Sequence, residues 1–265
     1  MDKILLFIPA YNCEKQVTRV LSQIDREVSP YISEIIVVNN RSTDNTENTV
    51  RSFCKTHPDL NIRILRNQQN YNLGGSHKVA FNYAIKKEFD YVIVLHGDDQ
   101  GDIHDLLPIL KDGTHRKFDC CLGSRFMKES KLGGYSGFRT FGNRVYNILF
   151  SVSTFSSVKD LGAGLNMYKT DMLKSEFYLK FPDTLTFNCF MLFANKAYQY
   201  SSKFFPISWR EDDQVSNVKL FSQAVKTFKI ATAFFFLNKA KYIKREFRDN
   251  PINEYLADDV TGVNE

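Results

Sequence analysis

Residues 91–102 read "YVIVLHGDDQGD". Five residues, Tyr91 to Leu95, run without a charged break into His96, Asp98, Asp99 and Asp102. Such a run fits a strand buried on both faces, as in a parallel sheet covered by helices. Carboxylates crowded at the end of a buried strand need a task. Side chains alternate along an extended segment, so His96, Asp98 and Gln100 can share one side and Asp99 the other. An imidazole, a carboxylate and an amide oxygen could hold a hard divalent cation, magnesium or manganese, with positions left for a diphosphate. The same residue types also serve as turn and helix-cap residues after strands, and the stretch alone does not separate the two.

Similar apolar runs flank it: "ILLFIP" (4–9), "EIIVVN" (34–39), "IRIL" (62–65) and "FDCCLGS" (118–124). Between them the sequence predicts helices. One follows the first run to about Glu27, and one is capped by Asp44 with Glu47 three residues on and runs through about Thr56. Others are "NLGGSHKVAFNYAIKK" (72–87) and "IHDLLPILK" (103–111). Strand–helix alternation of this kind predicts a doubly wound α/β sheet. Ligands then bind beyond the carboxyl ends of the strands. Pro9, Ala10 and Tyr11, then Asn39 and Asn40, then His96 to Asp98 occupy those places.

The second half is less regular. "FRTFGNRVYNILFSVSTF" (138–155) and "LTFNCFMLFANKAYQY" (185–200) read as helices, and "GLNMYK" (164–169) and "KFFPISW" (203–209) as strands. From Asn217 a helical pattern spaces Val218, Phe221, Val225 and Phe228 by three and four, with Lys219, Lys226 and Lys229 interleaved. An acidic tail from Asp249 is expected to be loosely ordered at its end. The domain reading is therefore 1–215, with halves 1–125 and 126–215, followed by a helical extension and tail over 216–265.

Composition narrows the class. A chain of 265 residues, 43% hydrophobic, can bury a full core. A net charge of +5 permits phosphorylated ligands or an anionic membrane surface. No nucleic-acid module or concentrated basic stripe appears, so nucleic acid is not expected as a partner. Five cysteines without a CxxC pair speak against structural zinc and a disulfide framework, and for reduced thiols in the cytosol. Asp2 and Pro9 spoil a signal-peptide reading, and "IATAFFFL" (230–237) falls far short of the ~20 residues of a membrane span. Neither G-x-G-x-x-G nor a P-loop occurs, so a diphosphate would have to be managed by other means, such as a metal held by acidic residues.

Five ordered motifs, "IPAYNCEKQV", "EIIVVNNRSTDNT", "NYNLGGSHKVAFNYA", "YVIVLHGDDQGDIHDLLP" and "LGSRF", resemble a family-two glycosyltransferase of the GT-A fold, and within it the dolichol-phosphate mannosyltransferase branch that acts on polyprenyl phosphates. The resemblance implies a mostly parallel doubly wound sheet flanked by helices. It implies inverting, metal-dependent transfer from a nucleoside diphosphate sugar to a polyprenyl-phosphate or lipid-linked glycan acceptor in cell-surface glycan synthesis. Pro9, Ala10 and Tyr11 become nucleoside contacts. Asn39 and Asn40 replace the family's two aspartates, which leaves the base open. Asp98 becomes the primary metal ligand with Gln100 in support, and His96 stands where the family has an aspartate, as a metal ligand or as a ribose or phosphate partner. Arg125 and Arg139 are implied phosphate contacts, Asn143 lies near the acceptor, and Arg210 falls where the branch has a basic stretch. A lipid phosphate needs no catalytic base, whereas a sugar hydroxyl does, and Glu211, Asp212 and Asp213 are the candidates. Any membrane contact would be peripheral, at the cytoplasmic face, through the stretch from Asn217 to Arg248. Alternatives are transfer to a non-lipid hydroxyl, a nucleotidyltransferase without the usual glycine-rich loop, and a non-catalytic sugar-nucleotide binder.

Overall fold

The structure is a computed structural model that describes residues 2–211 and 220–262. In chain order it contains β1 (Ile4–Ala10), α1 (Val17–Ser22), β2 (Glu34–Asn39), α2 (Thr46–Thr56), β3 (Ile62–Asn67), α3 (Asn72–Lys86), β4 (Tyr91–Leu95) and α4 (Leu107–Lys111). Then come β5 (Cys120–Ser124), β6 (Lys131–Gly133), α5 (Gly137–Thr154), β7 (Leu165–Lys169), α6 (Thr170–Leu173) and α7 (Phe187–Ala197). The remainder is β8 (Ser202–Pro206), β9 (Ser208–Arg210), α8 (Leu220–Phe236), α9 (Lys239–Tyr242) and β10 (Ala257–Asp259).

The main sheet runs β10-β3-β2-β1-β4-β7-β5-β8. Strands β1 to β4 are mutually parallel. Their unbroken apolar character follows from having a core on each face. Leu5 and Phe7 of β1 join one core layer, with α3 and α7, while Leu6 and Ile8 join the other, with α1, α2 and α4. Full burial of each such side chain contributes roughly 1.5–3 kcal/mol.

Four features depart from the sequence reading. The first helix ends at Ser22 instead of continuing to Glu27. "GLNMYK" enters the middle of the sheet as β7, antiparallel to both β4 and β5. "KFFPISW" divides at Ile207 into β8, which pairs with β5, and β9, which pairs with β6 in a separate ribbon. The tail forms a strand short of its end, which lies outside the described residues: β10 pairs antiparallel with β3, Arg63 Nη1 meets Asp259 Oδ2 at 2.9 Å, and Gln68 Nε2 donates to Asp258 Oδ1 at 3.3 Å. The tail's carboxylates thus face partners on the neighbouring strand, which composition alone does not reveal.

The start of the helix expected from Asn217 and its Val218 lie outside the described residues, as does the side chain of Phe221. Of that apolar stripe, Val225 and Phe228 are exposed, and the helix packs on α5 through a different face, where Thr227, Ala231 and Phe234 are buried.

Candidate active site

The strand order reverses at β1. From β1 the chain winds outward through β2 and β3, then returns to pair β4 on the other side of β1. A crevice opens at such a switch point beyond the carboxyl ends of the strands. The three post-strand turns are laced together there. The Gly97 N–H donates to Pro9 O at 3.1 Å, and the Asn40 N–H donates to Ala10 O at 2.9 Å. A Cβ on Gly97 would stand 2.8 Å from Pro9 O, so this approach of β4 to β1 requires glycine. Tyr11 lies exposed at the rim.

The two asparagines after β2 have different jobs. Asn39 Oδ1 accepts the Ser42 N–H at 2.9 Å, and its Nδ2 donates to Glu47 Oε2 at 2.7 Å. It lines an open cleft of ≈ 500 Å³ with Arg41, Asp44, Glu47 and Arg66. Asn40 is buried and turned inward. Its Oδ1 accepts from Asn67 Nδ2 and the Tyr71 N–H, and its Nδ2 donates to Asn70 Oδ1. Asn40, expected as a substrate contact, therefore ties β2 to the loop before α3. The capping box expected of Asp44 and Glu47 does not form: the N-cap position falls on Asn45, whose side chain makes no cap hydrogen bond. Asp44 Oδ1 accepts the Thr46 N–H at 3.1 Å, but Glu47 turns to Arg66, Arg51 and Asn39. Hydrogen bonding to Arg66 outweighs burial and, with Arg51 and Asn39, holds the Glu47 carboxyl at about 2.

In the opening stretch the carboxylates separate. Asp99 adopts a left-handed backbone (φ 60°), which breaks simple alternation. Its side chain is buried against Arg19 Nε at 2.6 Å and Gln23 Nε2 at 3.2 Å. Arg210 also grips it, through Nη2 to the Asp99 carboxylate and through Nε to the Asp99 carbonyl at 2.7 Å. Arg210, expected to bind substrate, is thus committed to locking the turn against β9. Asp98 accepts the Gln100 N–H at 3.3 Å. Burial pushes its carboxyl up to about 6, with the Asp99 charge adding and the Arg125 charge opposing.

The His96 ring lies against Gly164, where an added Cβ would come 3.0 Å from its Cγ, and 6.2 Å from the ring of His77 between centroids. Its Nε2 is shielded from solvent and has no hydrogen-bond partner among the described residues. Burial, helped by the Arg125 charge, pushes the imidazole down to about 4, so it is neutral near pH 7. A neutral imidazole nitrogen can ligate a metal or hydrogen-bond a ligand.

Among the described residues no group of three or more His, Cys, Asp or Glu side chains converges as a closed metal cage. The chemistry of the residues would suit an open site instead, to which Asp98 would supply a carboxylate. The shielded Nε2 of His96, without a hydrogen-bond partner among the described residues, belongs to the same post-strand segment as that carboxylate.

Across the crevice stands a cationic cluster. Arg125, at the end of β5, is buried and clamps Asp160 with Nε to Oδ2 at 2.8 Å and Nη2 to Oδ1 at 2.7 Å. Its guanidinium lies over Trp209 at 4.9 Å. Arg139, in the first turn of α5, directs Nη1 to Glu211 at 2.7 and 2.6 Å. Glu211, a candidate base, is therefore paired with a candidate phosphate ligand. The other two candidate bases, Asp212 and Asp213, lie outside the described residues. Tyr135 joins the set: its hydroxyl accepts from Asn143 Nδ2 at 2.8 Å, and Arg139 lies over its ring at 4.8 Å. Sequence reading missed Tyr135. The available signal was an aromatic residue in a glycine turn, "LGGYSG", between two arginines. Gly134 in that turn has φ 71°, and a Cβ there would strike Glu211 O at 2.6 Å.

A mostly parallel, doubly wound sheet flanked by helices, with a crevice at its switch point, is the GT-A architecture. The chain belongs to glycosyl transferase family 2, whose family model matches residues 6–177. A dolichyl-phosphate beta-glucosyltransferase of Trichomonas vaginalis is 21% identical over 262 residues, covering 94% of this chain and 75% of that protein. An undecaprenyl-phosphate mannosyltransferase of Micrococcus luteus is 21% identical over 173 residues, covering 65% of this chain and 69% of its own. Among solved structures, glucosyl-3-phosphoglycerate synthase from Mycobacterium tuberculosis, in complex with Mn2+, UDP and glucosyl-3-phosphoglycerate, superposes with a TM-score of 0.59 at 13% identity, over 88% of this chain and 79% of that one. Staphylococcus aureus TarS in complex with UDP gives a TM-score of 0.57 at 17% identity, over 92% and 70%.

Proposed function

We propose that this glycosyltransferase moves a sugar from a nucleoside diphosphate sugar to the phosphate of a polyprenyl lipid, with inversion at the anomeric carbon and with magnesium or manganese, in cell-surface glycan synthesis. The observation that carries the reading is the Arg125–Tyr135–Asn143–Arg139 cluster, in which the one described acidic candidate base, Glu211, is neutralised by Arg139. Such a cluster suits an anionic acceptor. A lipid phosphate is already ionised and needs no base, whereas a hydroxyl acceptor would need Glu211 or Asp212 to take a proton. The polyprenyl-phosphate names of the Trichomonas and Micrococcus relatives support the same acceptor.

On this reading Pro9, Ala10, Tyr11 and Asn39 hold the nucleoside, and the UDP in the solved neighbours favours uracil. Asp98, Gln100 and His96 form the cation side. When bound, the cation screens the diphosphate and stabilises charge on the departing nucleotide. Arg125 stays fixed by Asp160 and supplies a permanent positive field opposite Asp98. Arg139 exchanges Glu211 for the acceptor phosphate, a swap its planar fork allows. Peripheral contact between the stretch from Asn217 to Arg248 and the membrane brings the acceptor within reach.

The test is transfer of labelled sugar from a panel of sugar nucleotides to undecaprenyl phosphate. Transfer to the lipid that EDTA abolishes and manganese or magnesium restores is the expected result. Labelling of sugar hydroxyls with none on lipid phosphate would overturn the acceptor assignment.

A further inference from the structure

The exposed apolar surface is concentrated on two helices. Among the described residues, ten of the thirteen exposed large hydrophobic side chains belong to α5, α8 and the residue following each. On α5 they are Phe141, Val145, Ile148 and Val152, continued by Phe155, a spacing of four, three, four and three that follows one helical face. Phe141 and Ile148 are 68% and 65% exposed, although the opposite side of the same helix buries Asn147 and Phe150. Val225, Phe228, Phe235, Phe236 and Leu237 add the contribution of α8. The two helices pack together, and Phe155 stacks on Phe235 at 5.9 Å, so the two stripes meet. Scattered exposed apolar residues need no explanation, but a contiguous patch does.

The charge beside the patch is mostly positive, although Asp160 and the exposed Glu246 follow these helices closely and Glu211 pairs with Arg139. Residues 131–159 hold four lysines and arginines, residues 220–245 hold six, and neither stretch contains an aspartate or glutamate. Lys226, Lys229, Lys241 and Lys244 are exposed, and Lys239 leans over the Phe155 ring at 5.1 Å. An apolar face flanked mostly by cations matches an anionic lipid surface, where acyl chains take the rings and headgroups take the lysines. It matches a second copy of this chain poorly, because a two-fold contact would set the same cations against each other.

We propose that the α5–α8 face docks in the plane of an anionic bilayer, with α5 as the principal seated helix. Resting on the acceptor reading above, this gives the docked helix a second use. Arg139 and Asn143 occupy the amino-terminal half of α5, so seating the helix holds the acceptor cluster at headgroup depth. A lipid phosphate then reaches Arg139 by lateral diffusion, with its tail beside the exposed stripe.

Flotation of the full chain with phosphatidylcholine vesicles, with and without added phosphatidylglycerol, tests the proposal. Partition onto the anionic vesicles is expected to exceed that onto neutral ones by about a hundredfold and to fall as salt rises. The double variant Ile148→Asn/Phe236→Asn, at exposed positions outside the binding cluster, should lower partition about tenfold or more while leaving sugar-nucleotide binding unchanged. Equal binding of the variant, or equal binding to neutral vesicles, overturns the proposal. So does a dimer in sedimentation equilibrium that Ile148→Asn dissociates, since the face would then serve a second copy. Vesicle binding without transfer to lipid phosphate supports the docking face and removes the acceptor reading. Transfer to acceptor in detergent by a protein that ignores vesicles overturns the docking face alone.

Discussion

Replacing Asp98 by asparagine should stabilise the ligand-free protein while abolishing sugar transfer. Burial raises this carboxyl from 3.8 to about 6. A folded-state pKa above the unfolded value means that protonation favours the fold. The favourable contribution is complete below about pH 4 and is lost as pH rises through about 6. Above that, the buried charge costs about 1.36 kcal/mol for each of roughly two units, or ~3 kcal/mol, which partial exposure reduces to ~2 kcal/mol. With about 2.1 cal/mol/K of unfolding entropy per residue, a chain of 265 residues shifts by about 2 °C per kcal/mol. Asp98→Asn in EDTA should therefore melt about 4 °C above the native sequence near pH 7.5, and the gap should close as pH falls to about 4. Differential scanning calorimetry across that range measures both quantities. A variant that melts lower at neutral pH, or a gap that ignores pH, would refute the idea that Asp98 is held at a cost to the fold.

Asp160→Asn should leave the Arg125 guanidinium buried without its counter-charge. A loss of roughly 3–5 kcal/mol follows, or about 5–9 °C in Tm, and a shift under about 2 °C would deny the pair its structural weight. Glu211→Gln should release Arg139, so steady-state kinetics are expected to show a lower KM for the lipid phosphate and a kcat within about threefold of native. A kcat loss of about a hundredfold would instead make Glu211 the general base. His96→Asp should retain transfer and move metal preference from manganese toward magnesium, measured by cation titration in the transfer assay. An unchanged preference would reject His96 as a ligand.

Much of the fold was legible because its signals are local. Buried parallel strands read as unbroken apolar runs, and their carboxyl ends mark the crevice. The division of labour within the crevice was less legible. Asn39 and Asn40 are adjacent and chemically identical, yet one lines the cleft and the other is consumed by Asn67, Asn70 and Tyr71. That outcome depends on a loop some thirty residues away. Arg210 and Glu211 looked available because sequence shows charge and not its partner, and both are matched across long separations to Asp99 and Arg139. The periodicity of α8 announced an apolar stripe but not which face would meet α5. The neighbouring helix, with its own exposed stripe, decides that.

The antiparallel strand β7 has consequences for how the enzyme is made. It is the hydrogen-bonded link between β4 and β5 in the main sheet. It pairs with β4 only after the intervening residues 96–164 have been synthesised. The residues just before it complete both sides of the crevice: Gly164 O accepts the His96 N–H, and Asp160 clamps Arg125. Local βαβ units can assemble quickly, but closure across β7 is a non-local, late event on the scale that slows folding. A fragment ending near residue 125 would present β4 as an unpaired apolar edge, the kind of surface that templates aggregation. The two sides of the crevice therefore mature together, and a nascent chain gains neither before β7 is in place.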